Sequence, residues 1–252
     1  MSMRVLYECA GGVARITLNR PEKRNALDPV MVSELRAALD RAAEDGAARV
    51  VTLAGAGKDF CSGADLASVA AVARAGILEN IEDARAIGAV FVAMRALAKP
   101  VVALVKGRAL AGGCGLATAC DLIVAAESAR FGYPEINVGF VPAMVMALLR
   151  RAVGEKTAFA LAVTGDVLTA ARAREVGLVH AVFADDAFDG EAAEFVSGLA
   201  GKAGESVALT KQLLYRTDAL PFEAALEAGV QTNAVSRMTE SFRVGVERFL
   251  RK

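Results

Sequence analysis

The chain has 252 residues, 55% of them hydrophobic and 23% charged, a composition suited to one large buried core or to a core with a small appendage. Lysine plus arginine and aspartate plus glutamate both number 29, so the net charge is zero and the pI is about 6.6. That balance offers neither the basic footprint of a nucleic-acid binder nor a strongly acidic tail, and no nucleic-acid partner is expected.

The predicted elements follow a regular rhythm. "MRVLYECAGGVARITLN" carries two β-type runs around Gly11-Gly12, a hairpin signal. "LDPVMVSELRAALDRAAED" opens on Asp28-Pro29, a cap followed by an N1 proline, and repeats apolar residues at Val32, Leu35, Leu39 and Ala42, which predicts an amphipathic helix. "ARVVTLAGAG" reads as a buried strand. "IEDARAIGAVFVAMRALAK" reads as a second helix, ended by Pro100. "VVALVKG" is a strand, "GLATAC" a short buried helix and "DLIVAAE" another strand. Strand, small-residue turn, helix, strand is the pattern of an α/β fold.

The character changes further on. "FDGEAAEFVSGLAGK", "ESVALTKQLLYRTD" and "PFEAALEAGVQTNAVSRMTESFRVGVERFLRK" all read as helices, so the division expected is an α/β core over 1–190 and a helical region over 191–252. The mean hydropathy of +0.40 suggests extra buried surface, such as an interface between subunits.

Cys9, Cys61, Cys114 and Cys120 form no CxxC pair, and the single His180 gives no Cys/His ligand spacing, so no metal is expected. Reduced thiols suit a cytoplasmic protein. The opening "MSMRVLYECAGG" lacks the apolar stretch of a signal peptide, and the apolar region 101–126 is interrupted by Lys106, Arg108 and Asp121. No membrane partner is expected.

Two small-residue stretches carry the chemistry. "RALAGGCGLATACD" follows an apolar strand and strings together Ala111, Gly112, Gly113, Cys114 and Gly115. Short side chains let a backbone approach a ligand closely, and a helix starting there turns free N–H groups outward. An anion or a developing oxyanion fits such a place; so does close helix–strand packing. "AGAGKDFCSGADL" also follows a strand. Its "GAGK" is no phosphate loop, because position 52 is Thr where the first Gly is needed and Asp59 follows Lys58.

Together, "DFCSGADL" and "KPVVALVKGRALAGGCGLATACDLIVAAESARFGYPEINVGFVPA" resemble the enoyl-CoA hydratase/isomerase (crotonase) superfamily. "NRPEKRNALD" is similar to its early CoA-contacting segment, and "AVGEKTAFALAVTGDVLTAARAREVGLVHAVF" and "ESFRVGVERFLRK" extend the resemblance over nearly the whole chain. The resemblance implies a crotonase-like (ClpP/crotonase) α/β fold, a stacked ββα superhelix with a C-terminal helical trimerisation region, assembled as a homotrimer or dimer of trimers. It implies an acyl-CoA thioester substrate, with coenzyme A entering as part of that substrate and no separate cofactor. The backbone N–H groups of Ala64 and Gly112 match the oxyanion-hole positions. Lys23, Arg24 and Ala26, and then Ser62, Ala64, Asp65, Leu66 and Gly112, match the CoA-contacting positions. "LASVAAVARAGILENI", with Phe140, Val141 and Met144, corresponds to the wall over the acyl chain, whose apolar side chains suit an apolar acyl group.

One departure matters more than any match. Well-studied hydratases of the family use two glutamates. Glu135 matches the second; at the first stands Gly115. Glu135 lies in "FGYPEINVGF", where an apolar pocket would raise its pKa and a helix start would lower it. One carboxylate suffices to move a proton between C2 and C4 of an enoyl thioester, or to deprotonate water for attack at C3. "PEINVGFVPA" is similar to the pattern of certain bacterial hydratases that share the glycine, so hydration of a 2-enoyl-CoA is the first expectation. Δ3,Δ2-isomerisation and a catalytically impaired acyl-CoA-binding homologue are the alternatives. Asp65 and Asp121 read as structural, His180 as lying outside the site, and Cys61 and Cys114 as small apolar fillers. Tyr133 and Asn137 are read as water-orienting or as solvent-facing.

Overall fold

The computed structural model describes residues 3–251. Strands β1 (Val5–Ala10) and β2 (Val13–Leu18) form the expected antiparallel hairpin, with Ala10 opposite Val13. The two-residue turn puts Gly11 at φ 59° and Gly12 at φ 80°, dihedrals that match the right-handed strand twist and that glycine adopts without a Cβ clash. Helix α1 (Pro29–Glu44) begins where its sequence predicts. Asp28 accepts the Met31 N–H at 2.9 Å, a cap worth about 1 kcal/mol. Its buried stripe is Met31, Val32, Leu35, Ala38, Leu39 and Ala42.

After β3 (Val50–Gly55) come helices α2 (Leu66–Val72) and α3 (Ile77–Ala96). The chain then runs twice through the same unit. Strand β4 (Val101–Val105) leads into β5 (Arg108–Leu110) and helix α4 (Gly112–Ala119). Strand β6 (Leu122–Ala126) leads into β7 (Arg130–Gly132), a 3-10 turn (Pro134–Val138) and helix α5 (Met146–Val153). Helix α6 (Glu155–Thr164), strand β8 (Val167–Thr169), helix α7 (Ala170–Glu175) and strand β9 (Ala181–Phe183) complete the sheets. Helices α8 (Phe188–Ala200), α9 (Gly204–Thr217), α10 (Phe222–Ser236) and α11 (Glu240–Leu250) follow.

The larger sheet has the order β1-β2-β3-β4-β6-β9, parallel after the first hairpin; the smaller has the order β5-β7-β8. Each ββα turn therefore crosses from one sheet to the other before its helix. The central strands read as unbroken apolar runs because both faces of the sheet are covered. On one face Val51, Leu53, Val101 and Ala103 pack in the main core with α1 and α3. On the other, Val50, Val102 and Val124 pack under Phe188, Ala192 and Val196 of α8.

Helices α9 to α11 bury little of their apolar surface within the chain. Leu214, Leu226, Val230 and Phe249 stand exposed. A buried ion pair pins α9 to the core: Lys211 Nζ donates to Asp121 Oδ2 at 2.7 Å and to the Met94 carbonyl at 2.8 Å. Asp121 also accepts from the Val101 N–H and the Tyr215 hydroxyl, so its role is structural. Among the described residues no helix is long and apolar enough to cross a membrane.

Candidate active site

The site is assembled from four segments, three that shape the backbone and a fourth that carries Glu135. The first is the turn after β2. Asn25 is fully buried and unusual in having φ 55°. Its side-chain amide donates to the carbonyls of Ala56 and Asp59 at 2.9 and 2.8 Å, while its Oδ1 accepts the Arg20 N–H. The turn is thereby bound to the loop after β3. The Ser62 N–H donates to the Arg24 carbonyl at 3.0 Å, and Cys61 Sγ points at the Asn25 carbonyl. Lys23 and Arg24 are exposed beside this joint, and Ala26 is buried in it.

The second segment carries Ala64. Leu27 donates its N–H to the Gly63 carbonyl and accepts the Asp65 N–H, both at 2.7 Å, which makes a parallel bridge opposite Ala64. A parallel bridge of this kind uses the groups flanking the opposite residue and leaves that residue's own N–H facing away. The Ala64 N–H is thus presented on the other side. Asp65 caps α2 through the Ala67 N–H at 2.8 Å and pairs with Arg20 at 2.9 Å. The Ala67 N–H and Arg20 hold its carboxyl below the usual range against the opposing effect of burial. Leu66 opens α2, and its side chain lies outside the described residues.

The third segment is the glycine run. Helix α4 starts at Gly112, three residues before the expected "GLATAC" start. The cause is Ala111, whose φ of 51° and ψ of −128° turn the chain sharply out of β5. This is a strained conformation for a residue with a Cβ and costs about 1–3 kcal/mol. As the first helical residue, Gly112 has no intrahelical acceptor for its N–H, and the positive end of the helix lies behind it. The two loops touch. A Cβ on Gly63, itself at φ 95°, would lie 2.8 Å from the Ala111 Cβ and 3.3 Å from the Gly112 nitrogen; one on Gly113 would lie 2.2 Å from the Cys61 carbonyl oxygen. The small residues thus bring the backbone at Gly63, the residue before Ala64, against the backbone at Ala111 and Gly112.

Glu135 sits in the first turn of the 3-10 helix after β7, behind Pro134. It is half-buried, and its Oε2 has no hydrogen-bond partner among the described residues. Burial raises its pKa above the ordinary carboxylate value; a backbone N–H opposes this in part. The pocket effect therefore outweighs the helix-start effect that the sequence left in balance. Gly165, at the end of α6, packs against Ile136 and Asn137 and supports the turn from outside.

Other residues fall into place around this. Tyr133 neither faces solvent nor orients water there. It is fully buried, its hydroxyl 2.7 Å from Thr118 Oγ1 in α4. Asn137 is exposed. Cys61 and Cys114 are buried, and desolvation pushes both thiols up to about 12, which makes them poor nucleophiles. His180 is exposed and packs its ring tilted against Phe195, with ring centroids 5.4 Å apart. Arg20, Phe91, Thr118 and Val145 were not singled out from the sequence. Arg20 lies inside the recognised "NRPEKRNALD" and could have been found there. The other three are apolar or hydroxyl residues on helices or loops, with no spacing signal.

A family model described as enoyl-CoA hydratase/isomerase matches residues 8–252. The chain belongs to that family. Other members of the enoyl-CoA hydratase/isomerase family match it end to end. A Thermus thermophilus protein named as a candidate enoyl-CoA hydratase is 40% identical over 242 residues, covering 96% of each chain. The 2,3-dehydroadipyl-CoA hydratase of Escherichia coli is 34% identical over 241 residues, 95% of this chain and 92% of that one. The crystal structure of an enoyl-CoA hydratase from Mycobacterium smegmatis superposes with a TM-score of 0.94 at 37% identity, covering 98% of this chain and 96% of the other. The crotonase-like fold expected from the motifs is the fold observed, and the family acts on acyl-CoA substrates.

Proposed function

We propose that this chain adds water across the double bond of a 2-enoyl-CoA thioester, with Glu135 as the single acid–base group. The thioester oxygen accepts the N–H groups of Ala64 and Gly112. The Glu135 carboxylate takes a proton from water, and the water oxygen bonds to C3. The π electrons move toward the thioester, and enolate charge gathers on the oxygen between the two donors. The enolate then takes the proton from Glu135 at C2. This leaves a 3-hydroxyacyl-CoA and the original carboxylate. Each backbone donor is worth about 3 kcal/mol of barrier in such a hole.

The observation that carries the reading is Glu135 Oε2, buried on a half-buried residue and without a hydrogen-bond partner among the described residues. A carboxylate left without a partner inside a protein costs stability, and a raised pKa suits a group that must both take and return a proton near neutrality. The hydratase names of relatives at 40% and 34% identity support water addition over other enolate reactions. Isomerisation of a 3-enoyl-CoA is the second reading, favoured by the glycine at 115: one base can carry a proton from C4 to C2 without a water-holding partner.

In this reading Lys23 and Arg24 face the CoA phosphates, and Ala26, Ser62, Ala64, Asp65, Leu66 and Gly112 line the path of the thioester arm. Arg20 holds Asp65, so Asp65 acts by fixing the loop. CoA enters as part of the substrate, and no further cofactor is needed. Self-association into a trimer or hexamer belongs to the same reading, supported by the exposed apolar residues of α10 and α11; sedimentation at micromolar concentration, showing only monomer, would reject it.

The test is absorbance of the conjugated thioester with purified protein. Loss of the signal from 2-enoyl-CoA is the expected result. A rising signal from 3-enoyl-CoA alone would establish isomerisation instead, and silence with both would reject catalysis on these substrates.

A further inference from the structure

The glycine at 115 is not an empty place. It is buried in α4, one turn after Gly112 and on the same side of the helix. A Cβ added there would lie 3.3 Å from Phe91 Cζ and 3.7 Å from Val145 Cβ and Cγ2. Phe91 and Val145 are both buried. In the twenty-residue helix α3 the buried residues are Val90, Phe91 and Met94, so Phe91 belongs to the short stretch that faces the core. Its ring tip reaches the space into which any side chain at 115 must grow. A methyl group needs the ring to give by a few tenths of an ångström. A carboxylate three bonds longer needs the ring to leave, and would be placed unpaired against apolar carbon.

We propose that Phe91 is the residue that makes this a one-carboxylate site: with Val145 it forms an apolar wall where a second acid would stand. The inference rests on the reading of Glu135 and the Ala64–Gly112 donors as the reacting centre. If the thioester oxygen sits at Gly112, the acyl carbons that follow it run past the next turn of α4. Phe91 then selects hydrocarbon over polar groups beside the double bond, and it excludes a second ordered water from that side. Gly115 and Phe91 form a matched pair, and neither can be changed alone without effect on the other.

The experiment is a cycle of Gly115→Glu, Phe91→Ala and the double variant, read by melting temperature and by the pH–rate profile. Gly115→Glu alone is expected to lower the melting temperature and to lose at least tenfold in kcat. Adding Phe91→Ala should recover much of both losses and introduce a second ionisation into the pH–rate profile, absent from Phe91→Ala alone. Should Gly115→Glu fail to fold, Gly115→Ala with and without Phe91→Leu gives the same coupling on a methyl scale. Gly115→Glu with melting temperature and kcat unchanged, or effects of the two substitutions that simply add, would overturn the pairing. The melting data separate this from the catalytic reading. A protein silent on every enoyl-CoA still shows or lacks the coupling in its stability.

Discussion

Tyr133 and Thr118 hold their side-chain oxygens 2.7 Å apart in a place closed to water. Thr118 donates its one hydroxyl proton to the Cys114 carbonyl at 2.8 Å, so Tyr133 is the donor to Thr118. The link joins the residue two before Glu135 to the last turn of α4, and through Thr118 to the Cys114 carbonyl in the turn that begins at Gly112. In the proposed mechanism it sets the base, Glu135, relative to one oxyanion donor, Gly112, without touching either. Burial drives the Tyr133 phenol far above its usual pKa, so it stays a neutral donor at every working pH.

Tyr133→Phe should therefore act on geometry. The lost hydrogen bond lowers stability by about 1 kcal/mol. With the donor and the base no longer fixed together, kcat should fall several-fold while KM for the thioester holds. Equal changes in kcat and KM, or none, would show that the hydroxyl only fills the core.

Gly63→Ala tests the contact between the two loops. Its new methyl group would meet the Ala111 Cβ at 2.8 Å and crowd the Gly112 nitrogen, at a φ of 95° that alanine resists. The loops must separate. The expected cost is that of losing one oxyanion donor, about 100-fold in kcat. Activity within twofold of wild type would mean that the hole does not depend on this approach.

Ala111→Gly runs the other way. Glycine takes φ 51° and ψ −128° without the strain that alanine bears. After the entropy of the extra freedom in the unfolded chain is subtracted, a gain of about 1 kcal/mol in stability is expected. A fall in melting temperature would place the strain elsewhere.

Much of this was legible in the sequence. The hairpin at Gly11-Gly12, the capped helix from Asp28 and the strand runs follow from local chemistry acting over a few residues. So does the placing of Ala64 and Gly112 in small-residue turns after strands. What the sequence leaves open depends on contacts across the fold. The start of α4 depends on a positive φ at Ala111, a residue whose type does not announce it. The inward turn of Tyr133 depends on Thr118, fifteen residues away. The occupant of the space at Gly115 comes from α3. A missing carboxylate is plain in a sequence; what replaces its volume is a matter of packing.

Under the proposed mechanism Glu135 links stability and activity in opposite senses. Its pKa is raised on folding, mainly by burial, so the folded state holds a proton more readily than the unfolded chain. The stability this contributes is present at low pH and is lost as pH rises through the raised pKa. As the proposed base, the same group would work only once that proton has left. Turnover of a 2-enoyl-CoA should fall on the acid side with a midpoint above the ordinary glutamate value of about 4.3. The measurement to make is the pH dependence of 2-enoyl-CoA hydration by wild type and Glu135→Gln, with melting temperatures and CoA affinity taken on the same samples. The variant should lose about 100-fold or more in kcat, keep its CoA affinity, and melt higher than wild type by a margin that grows toward neutral pH. A variant that turns over 2-enoyl-CoA at the wild-type rate with the same acid limb would contradict the role assigned to Glu135.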